Sequence, residues 1–422
     1  MKGEEVIAGA LRRQADRWYA VPGYPVTTIA QQVGAEITVN EKVALEYALG
    51  DSLAGRRAAV ILKNVGLNAC ADPLVNATTQ GLRAGVVILV GDDLDVRGSQ
   101  NAQDSRYYGE LAQVPVIEPD RETIARGIAA AFEVSEKSSR VAIVRLTPSL
   151  LEEEVEDQDG VRSDQSGTLA GANLTMKGRV IQADHLLHQL FSWSQLSPLN
   201  RLRGGTIGVG MAHGTSHLVT VYPPPPLPRG VTINELGRPF VREHLTLSPP
   251  AERRVPETFQ MRRHSLTLCP HCPYRTLFTL MKEREMRAAC DMGCAILAMN
   301  PPFQVGICGY GLGSSVAVGA RSTGIALCGD YALLHSGINA LIDAYEKRLP
   351  LLCIIMKNQR LGMVGTVEAW DPVPYLAWAH PVVCKAEDHA TLEQVLVSAR
   401  EPTTVVVEGV CPEGESHETV EY

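Results

Sequence analysis

Short apolar runs set between helix-length segments constrain this chain more than any other feature. Ala58–Leu62, Val86–Val90 and Val141–Val144 are continuous apolar stretches, and Val86–Val90 ends in a polar, glycine-bearing turn. They lack the alternation that marks a sheet with one wet face. Such runs, separated by helices, indicate parallel strands buried on both faces. The pattern resumes late in the chain, with strands expected at Thr323–Leu327, Leu351–Ile355 and Thr403–Val407. Helical spacing of Ala44, Leu45, Ala48 and Leu49 predicts a helix over Glu41–Leu53, and a second helix is expected from Gly337 to Tyr345. The expected fold class is α/β, with parallel-sheet domains at 1–160 and 266–422. Residues 161–265 read as a reduced middle domain and linker. The acidic stretch Glu152–Asp159 and the Ser/Gly-rich piece to Gly171 suggest a solvated boundary after the first domain; beyond it Thr206–Met211 suggests a strand and Pro223–Pro226 a polyproline connector. A length of 422 residues suits two or three such domains.

Composition excludes several classes. The chain carries 39 basic and 47 acidic residues, a net charge of −8, with no basic tract and only 5% aromatics. A nucleic-acid partner is not expected. The first ten residues include Glu4 and Glu5 and lack an apolar signal core, and no apolar stretch could cross a bilayer, so a cytoplasmic location is expected. Ten cysteines in that compartment are read as buried thiols, catalytic thiols or metal ligands rather than disulfides.

Three constellations carry chemistry. The glycine-rich segment Gly306–Gly313, with Gly309 and Gly311 inside it, opens a small-residue helix over Ser314–Ala320; its backbone amides can approach an anion. Gly329-Asp330 closes one expected strand, and Asn358 follows the next one 28 residues further on. In a parallel sheet both lie at carboxyl ends, where open α/β sheets bind ligands. A carboxylate, an amide oxygen and a backbone carbonyl, completed by phosphate oxygens and water, make a hard-oxygen Mg²⁺ site. A turn Asp and a strand-end Asn are the plainer alternative. Cys269-Pro270-His271-Cys272 is a CxxC, open on its own to zinc, redox or accidental readings. Glu41, in Val39-Asn40-Glu41-Lys42-Val43-Ala44, is by itself compatible with a first-turn Glu favouring the helix dipole.

Taken together these segments resemble the α subunit of indolepyruvate ferredoxin oxidoreductases. Gly329–Ile338 looks like that family's GDSTFFHSGI, Asn358–Gly365 like its NRTTAMTG, and residues 39–44 reproduce its VNEKVA. Gly23-Tyr24-Pro25-Val26-Thr27 resembles a superfamily loop whose Thr contacts the 2-oxoacid carboxylate, and Ser99–Arg106 resembles SSQNEQDNR. The resemblance implies two thiamine-diphosphate domains, the first of pyrimidine type and the second of diphosphate type, with the cofactor placed between such domains. It makes Glu41 the group that activates the aminopyrimidine, and Thr27 and Arg106 candidate contacts to the substrate. Gly309, Gly311, Gly329, Asp330, His335, Asn358, Arg360 and Met363 would surround the cofactor. Asp330, Asn358 and the carbonyl of Arg360 would hold Mg²⁺. Cys269, Cys272, Cys294 and Cys411 would ligate one [4Fe–4S] cluster, with structural zinc or free thiols as the competing readings and Cys290 as a substitute ligand.

The activity implied is oxidative decarboxylation of a 2-oxoacid, aromatic in that family, to an acyl-CoA. Coenzyme A is the co-substrate, and electrons leave to ferredoxin or another electron-transfer subunit. A γ-type partner subunit and a dimer of catalytic units are implied as well. Those α subunits normally continue into a ferredoxin-like domain, whereas this sequence stops at Tyr422, so onward electron transfer is expected to use another subunit or a free carrier. Asn64 stands where the family has His, Tyr331 where it has a small residue, and Lys357 where it has Asp. Lys357 would add a positive charge beside the diphosphate. Those departures leave two rivals: a non-oxidative thiamine-diphosphate decarboxylase or lyase, and a non-catalytic electron-relay or scaffold subunit.

Overall fold

The computed structural model describes residues 1–156, 160–199, 201–202, 206–209, 218–219, 232–236, 261–365 and 367–422. The chain divides into two compact units, Met1–Ala170 with Met176–Phe259, and Gly171–Thr175 with Gln260–Tyr422.

The first unit is built on a six-stranded parallel sheet. Its strands are β1 (Arg17–Ala20), β2 (Glu36–Ile37), β3 (Ala58–Lys63), β4 (Val86–Gly91), β5 (Val116–Ile117) and β6 (Ala142–Leu146), in the order β2-β1-β3-β4-β6-β5. Every residue of β4 and β6 is buried; β4 is apolar throughout, and the one charged residue of β6, Arg145, is buried with ion-pair partners. The helices Gly3–Gln14 and Ile124–Ser138 cover one face, where Ile7, Leu11, Ile128 and Phe132 meet Ile61, Leu89 and Val144. Each such side chain contributes about 1.5–3 kcal/mol by leaving water. The expected helix Glu41–Leu53 is present and packs on β1 and β3.

Within the stretch read as a reduced middle domain and linker, Met176–Leu196 forms a 21-residue helix. Leu190, Trp193 and Leu199 join the core of the first unit. The Ser/Gly-rich piece is strapped to the same unit. Gln14 Nε2 donates to Gly160 O at 2.7 Å, and Arg57 Nη2 donates to Ser163 O at 2.7 Å. Gly167 N and Ala170 N donate to Arg83 O and Gln80 O, both at 2.8 Å. Beneath the strap, Arg57 pairs with the buried Glu136 through two bonds of 2.6 Å. Four further strands are described: β7 (Arg201–Leu202), β8 (Thr206–Val209), β9 (Leu218–Val219) and β10 (Thr232–Leu236), paired as β8–β10 and β7–β9. The strand expected at 206–211 is found for 206–209, while Pro223–Pro226 lies outside the described residues.

The second unit repeats the plan. Besides the antiparallel pair β11 (His264–Leu266) and β18 (Thr419–Glu421), it holds a second six-stranded parallel sheet. Its strands are β12 (Ala288–Cys290), β13 (Gly306–Cys308), β14 (Ile325–Gly329), β15 (Leu352–Lys357), β16 (Val382–Lys385) and β17 (Thr403–Glu408). They run in the order β13-β12-β14-β15-β17-β16. Both sheets reverse their winding between β1 and β3 and between β12 and β14, and again at the far edge, where β5 and β16 lie outside β6 and β17. Ligands of open α/β sheets bind outside the carboxyl ends at such switch points. The α/β expectation of two parallel sheets is borne out.

Candidate functional site

In the first unit the loops leaving β1 and β3, together with the segment after β2, converge on that carboxyl edge. Asn40 caps the helix Glu41–Leu53, its Oδ1 accepting from Val43 N at 2.9 Å. This fixes Glu41 as the first helical residue. The turn Asn64–Asn68 that follows β3 runs alongside, and Gly66 is the point of closest approach. A Cβ at Gly66 would lie 2.5 Å from Glu41 Oε1 and 2.7 Å from its Cγ. The glycine is therefore what leaves room for the carboxylate. Beneath it, the Cys70 thiol donates to Glu41 O at 3.2 Å, and burial pushes that thiol strongly up, with the Glu41 and Glu46 charges adding to it.

Thr27 opens the helix Thr27–Val33 at the same sheet edge. Its loop is wedged between neighbours: a Cβ on Gly91 would strike Pro25, and one on Gly98 would strike the Tyr24 ring. Asn64 is fully buried; its Oδ1 accepts from Val65 N at 2.8 Å and its Nδ2 donates to Asn101 O at 3.3 Å. Here it ties the β3 turn to the segment 99–106. Arg106 lies in a buried ionic network, donating to both oxygens of Asp104 and reaching Glu118 at 3.4 Å. Arg145 pairs with Asp92 at 2.6 Å and with Glu118. Burial acts to raise Asp104, but the Arg106 hydrogen bonds and the Arg145 charge outweigh it and hold the carboxyl low. A substrate carboxylate at Arg106 would have to compete with two protein carboxylates.

The second unit brings Asp330 and Asn358 together. Gly329 and Met356 are partners across β14 and β15, so the residues just beyond them emerge side by side. Asp330 Oδ2 accepts from Asn358 N at 3.1 Å and Gln359 N at 2.6 Å, and Oδ1 accepts from Tyr331 N at 2.7 Å. Burial nevertheless pushes the Asp330 carboxyl up, because desolvation exceeds what those amides return. A carboxylate has about four acceptor positions, so three amides leave room for a cation. Gln359 adopts φ 52°, turning the chain so that Arg360 N donates to Asn358 Oδ1 at 3.1 Å.

After Asp330 the chain runs into a π-helical turn, Leu333–Gly337, a device often found at functional sites. His335 is exposed on it. Gly313, at φ 82°, closes the glycine loop against this turn: a Cβ there would lie 2.4 Å from Gly337 N. Gly309 similarly yields to Ile296, and Gly311 sits at φ 136°. The loop is held from below by the fully buried Asp291, which accepts from Gly313 N at 2.8 Å and Ser315 Oγ at 3.0 Å. Met363 is 39% exposed in the turn after Arg360. Lys357 does not present a free charge: its Nζ lies 2.8 Å from Asp371 and 2.9 Å from Glu408.

Cys269, Cys272, Cys294 and Cys411 all line one cavity of about 610 Å³, together with Tyr274, Asn358 and His417. The four thiols are free. Burial first, then the charges of the other cysteines, push Cys272 and Cys294 up to about 12. Among the described residues no three His, Cys, Asp or Glu lie at single-ion spacing. Four thiols are the donor set of a structural zinc ion or of an iron–sulfur cluster. Tyr274, whose buried Oη has no hydrogen-bond partner among the described residues, lines the same cavity. Asn358 Nδ2 donates to Cys411 Sγ at 3.0 Å, and His417 Nε2 lies 3.5 Å from Cys294 Sγ. The segment carrying Cys411 and His417 is latched over the CxxC, with Glu415 accepting from His271 N at 3.1 Å and Arg275 Nη1 donating to Glu418 at 2.7 Å.

Gly66, Asp291, Tyr274 and His417 were not singled out from sequence. Only a pairing across distant segments reveals them.

Two six-stranded parallel sheets, with Glu41 at the carboxyl edge of one and the Asp330–Asn358 pair at adjacent strand ends of the other, form a fold of the kind found in thiamine-diphosphate enzymes. Residues 291–400 match the family "Thiamine pyrophosphate enzyme, C-terminal TPP binding domain". The thiamine diphosphate-dependent 4-hydroxybenzoylformate decarboxylase of Rhodococcus jostii RHA1 shares the fold at a TM-score of 0.60 and 15% identity, over 98% of this chain and all of that one. By sequence the chain is similar to the indolepyruvate oxidoreductase subunit IorA. The Archaeoglobus fulgidus protein is 25% identical over 86% of this chain and 75% of its own length. That of Methanothermobacter thermautotrophicus is 25% identical over 81% and 71%. Among the described residues no helix is long and apolar enough to cross a membrane.

Proposed function

We propose that this chain is the thiamine-diphosphate subunit of a 2-oxoacid oxidoreductase of the indolepyruvate type, and that it holds a [4Fe–4S] cluster. One observation carries the reading: Asn358, of the Asp–Asn pair, also donates to Cys411 of the cysteine group, so the diphosphate end and the electron acceptor would be contiguous. A non-oxidative decarboxylase has no use for that contiguity. When bound, thiamine diphosphate would supply the carbanion chemistry of decarboxylation, and the cluster would supply one-electron acceptance.

The chain's own residues divide the remaining work. Asp330, Asn358 and the carbonyl of Arg360 would hold Mg²⁺ against the diphosphate. Gly309, Gly311 and Gly329 would let backbone approach it, with His335 and Met363 bordering the site. Glu41 would hold a proton at the aminopyrimidine, seated by Gly66. Thr27 would take the substrate carboxylate. Arg106, already held by Asp104 and Glu118, would orient its loop first and meet substrate second. Cys269, Cys272, Cys294 and Cys411 would ligate the cluster. An aromatic 2-oxoacid, coenzyme A, a γ-type subunit resembling the IorB partner, a dimer of catalytic units and ferredoxin or an equivalent acceptor complete the proposal.

The test is 2-oxoacid- and coenzyme A-dependent reduction of ferredoxin or a viologen by the anaerobically purified chain co-expressed with its neighbouring subunit. Reduction abolished by Glu41→Gln supports the reading. Aldehyde formed without electron transfer identifies a non-oxidative lyase, and activity indifferent to Glu41→Gln identifies a relay subunit.

A further inference from the structure

Two hydrogen-bonding groups link the Asp–Asn side of the site to the cysteine group: the amide nitrogen of Asn358 and the phenol of Tyr274, a residue that no motif of the sequence assigns. Asn358 Nδ2 donates to Cys411 Sγ at 3.0 Å while its Oδ1 faces the backbone N of Arg360 on the loop beside Asp330. Tyr274, which lines the same cavity, is 1% exposed; its Oη is buried without a hydrogen-bond partner among the described residues, and the charged groups acting on it are Asp330, Cys411, Cys272 and Cys294. Its ring packs beside the backbone at Gly409, where an added Cβ would lie 3.2 Å from Tyr274 Cζ. A buried hydroxyl left unpaired is costly, which marks the position as suited to meet a partner beside it. Both groups can donate there: the amide through N–H, the phenol through O–H. Such donors stabilise the extra negative charge that a cluster and its thiolates gain on accepting one electron.

We propose that Asn358 and Tyr274 are positioning residues that raise the reduction potential of the cluster, and that Asn358 couples this potential to occupancy of the metal–diphosphate site. The inference rests on the cluster and Mg²⁺ reading above. An amide whose oxygen binds Mg²⁺ is polarised, and its N–H becomes a stronger donor to the Cys411 sulfur. Cofactor binding thus makes the cluster a better one-electron acceptor, and electron transfer awaits a loaded site. No proton or atom is exchanged in this step. One electron enters the cluster from the reacting cofactor and leaves to the external acceptor.

The experiment is a dithionite redox titration followed by electron paramagnetic resonance on the anaerobically purified complex. It compares wild type with Tyr274→Phe and Asn358→Asp, each with and without Mg²⁺ and thiamine diphosphate. Tyr274→Phe removes only the hydroxyl, and Asn358→Asp keeps an oxygen for the metal while removing the donor. Each substitution is expected to lower the midpoint, changing the reduced-to-oxidised ratio at fixed potential by about threefold or more, where tenfold corresponds to about 59 mV for one electron. Wild type should shift upward on cofactor addition, and Asn358→Asp should lose most of that shift. If Asn358→Asp does not take up iron, Tyr274→Phe and the cofactor response of wild type decide. Clusters with unchanged midpoints and no cofactor response overturn this inference and leave the proposed function standing. A chain without iron overturns both.

Discussion

Gly66→Ala isolates the seating of Glu41. The new Cβ would lie 2.5 Å from Glu41 Oε1, 2.7 Å from Cγ and 2.9 Å from Cδ, so the carboxylate must retreat by about 1 Å to reach ordinary contact. Gly66 is not among the glycines with positive φ, so alanine meets no backbone strain there. The obstructing atoms belong to a flexible side chain at a sheet edge. The folding cost should therefore stay near the low end of overpacking, about 1 kcal/mol. Activity should suffer far more, because a displacement of about 1 Å in a catalytic group costs on the order of 10²-fold. The assay pairs steady-state turnover with thermal unfolding and the affinity for thiamine diphosphate. We expect a fall of about 10²-fold in kcat with a melting temperature lowered by only a few degrees. Full activity in Gly66→Ala would show that Glu41 does not work from the position seen here. A loss matched by unfolding would show that Gly66 serves the fold alone.

Burial raises the Asp330 carboxyl, so protons should compete with Mg²⁺ at a higher pH than at an ordinary carboxylate. Metal-dependent thiamine-diphosphate affinity, followed by fluorescence quenching, should weaken as pH falls through that raised value, and Asp330→Ala should abolish the metal dependence. Arg57→Ala strands the buried Glu136 and should cost about 3–5 kcal/mol in urea unfolding; Arg57→Ala with Glu136→Gln should recover part of it. Lys357→Met should alter thiamine-diphosphate affinity by no more than about threefold, because Asp371 and Glu408 already neutralise the ammonium.

Much of this arrangement was legible in the sequence because its carriers are local. Asp330 and Asn358 follow strands apolar enough to be recognised, and a parallel sheet then requires their ends to meet. Glu41 was picked out by resemblance, since a first-turn Glu is unremarkable by composition. Strands of three or four residues such as β12, β13 and β16 are too short to show a period, and β13 hides inside a glycine motif. The helix Met176–Leu196 was missed because apolar and polar residues are scattered around it rather than gathered in a stripe. Arg57 with Glu136, Gly66 with Glu41 and Tyr274 with the cysteine cavity are each partnered across the fold. No local pattern encodes a partner 79 residues away. Two residues that depart from the resembled motifs are placed by their partners: Asn64 is a buried tie and Lys357 a paired ion.

The central claim, that one chain carries both cofactors, is tested most directly by iron, acid-labile sulfide, zinc and thiamine-diphosphate analysis of anaerobically purified wild type and Cys411→Ser. The account predicts about four iron and four sulfide per chain in wild type. It also predicts thiamine diphosphate retained with Mg²⁺, and iron largely lost in Cys411→Ser while the cofactor stays. Thiamine diphosphate bound to a chain with zinc, or with no metal at the cysteines, would contradict it.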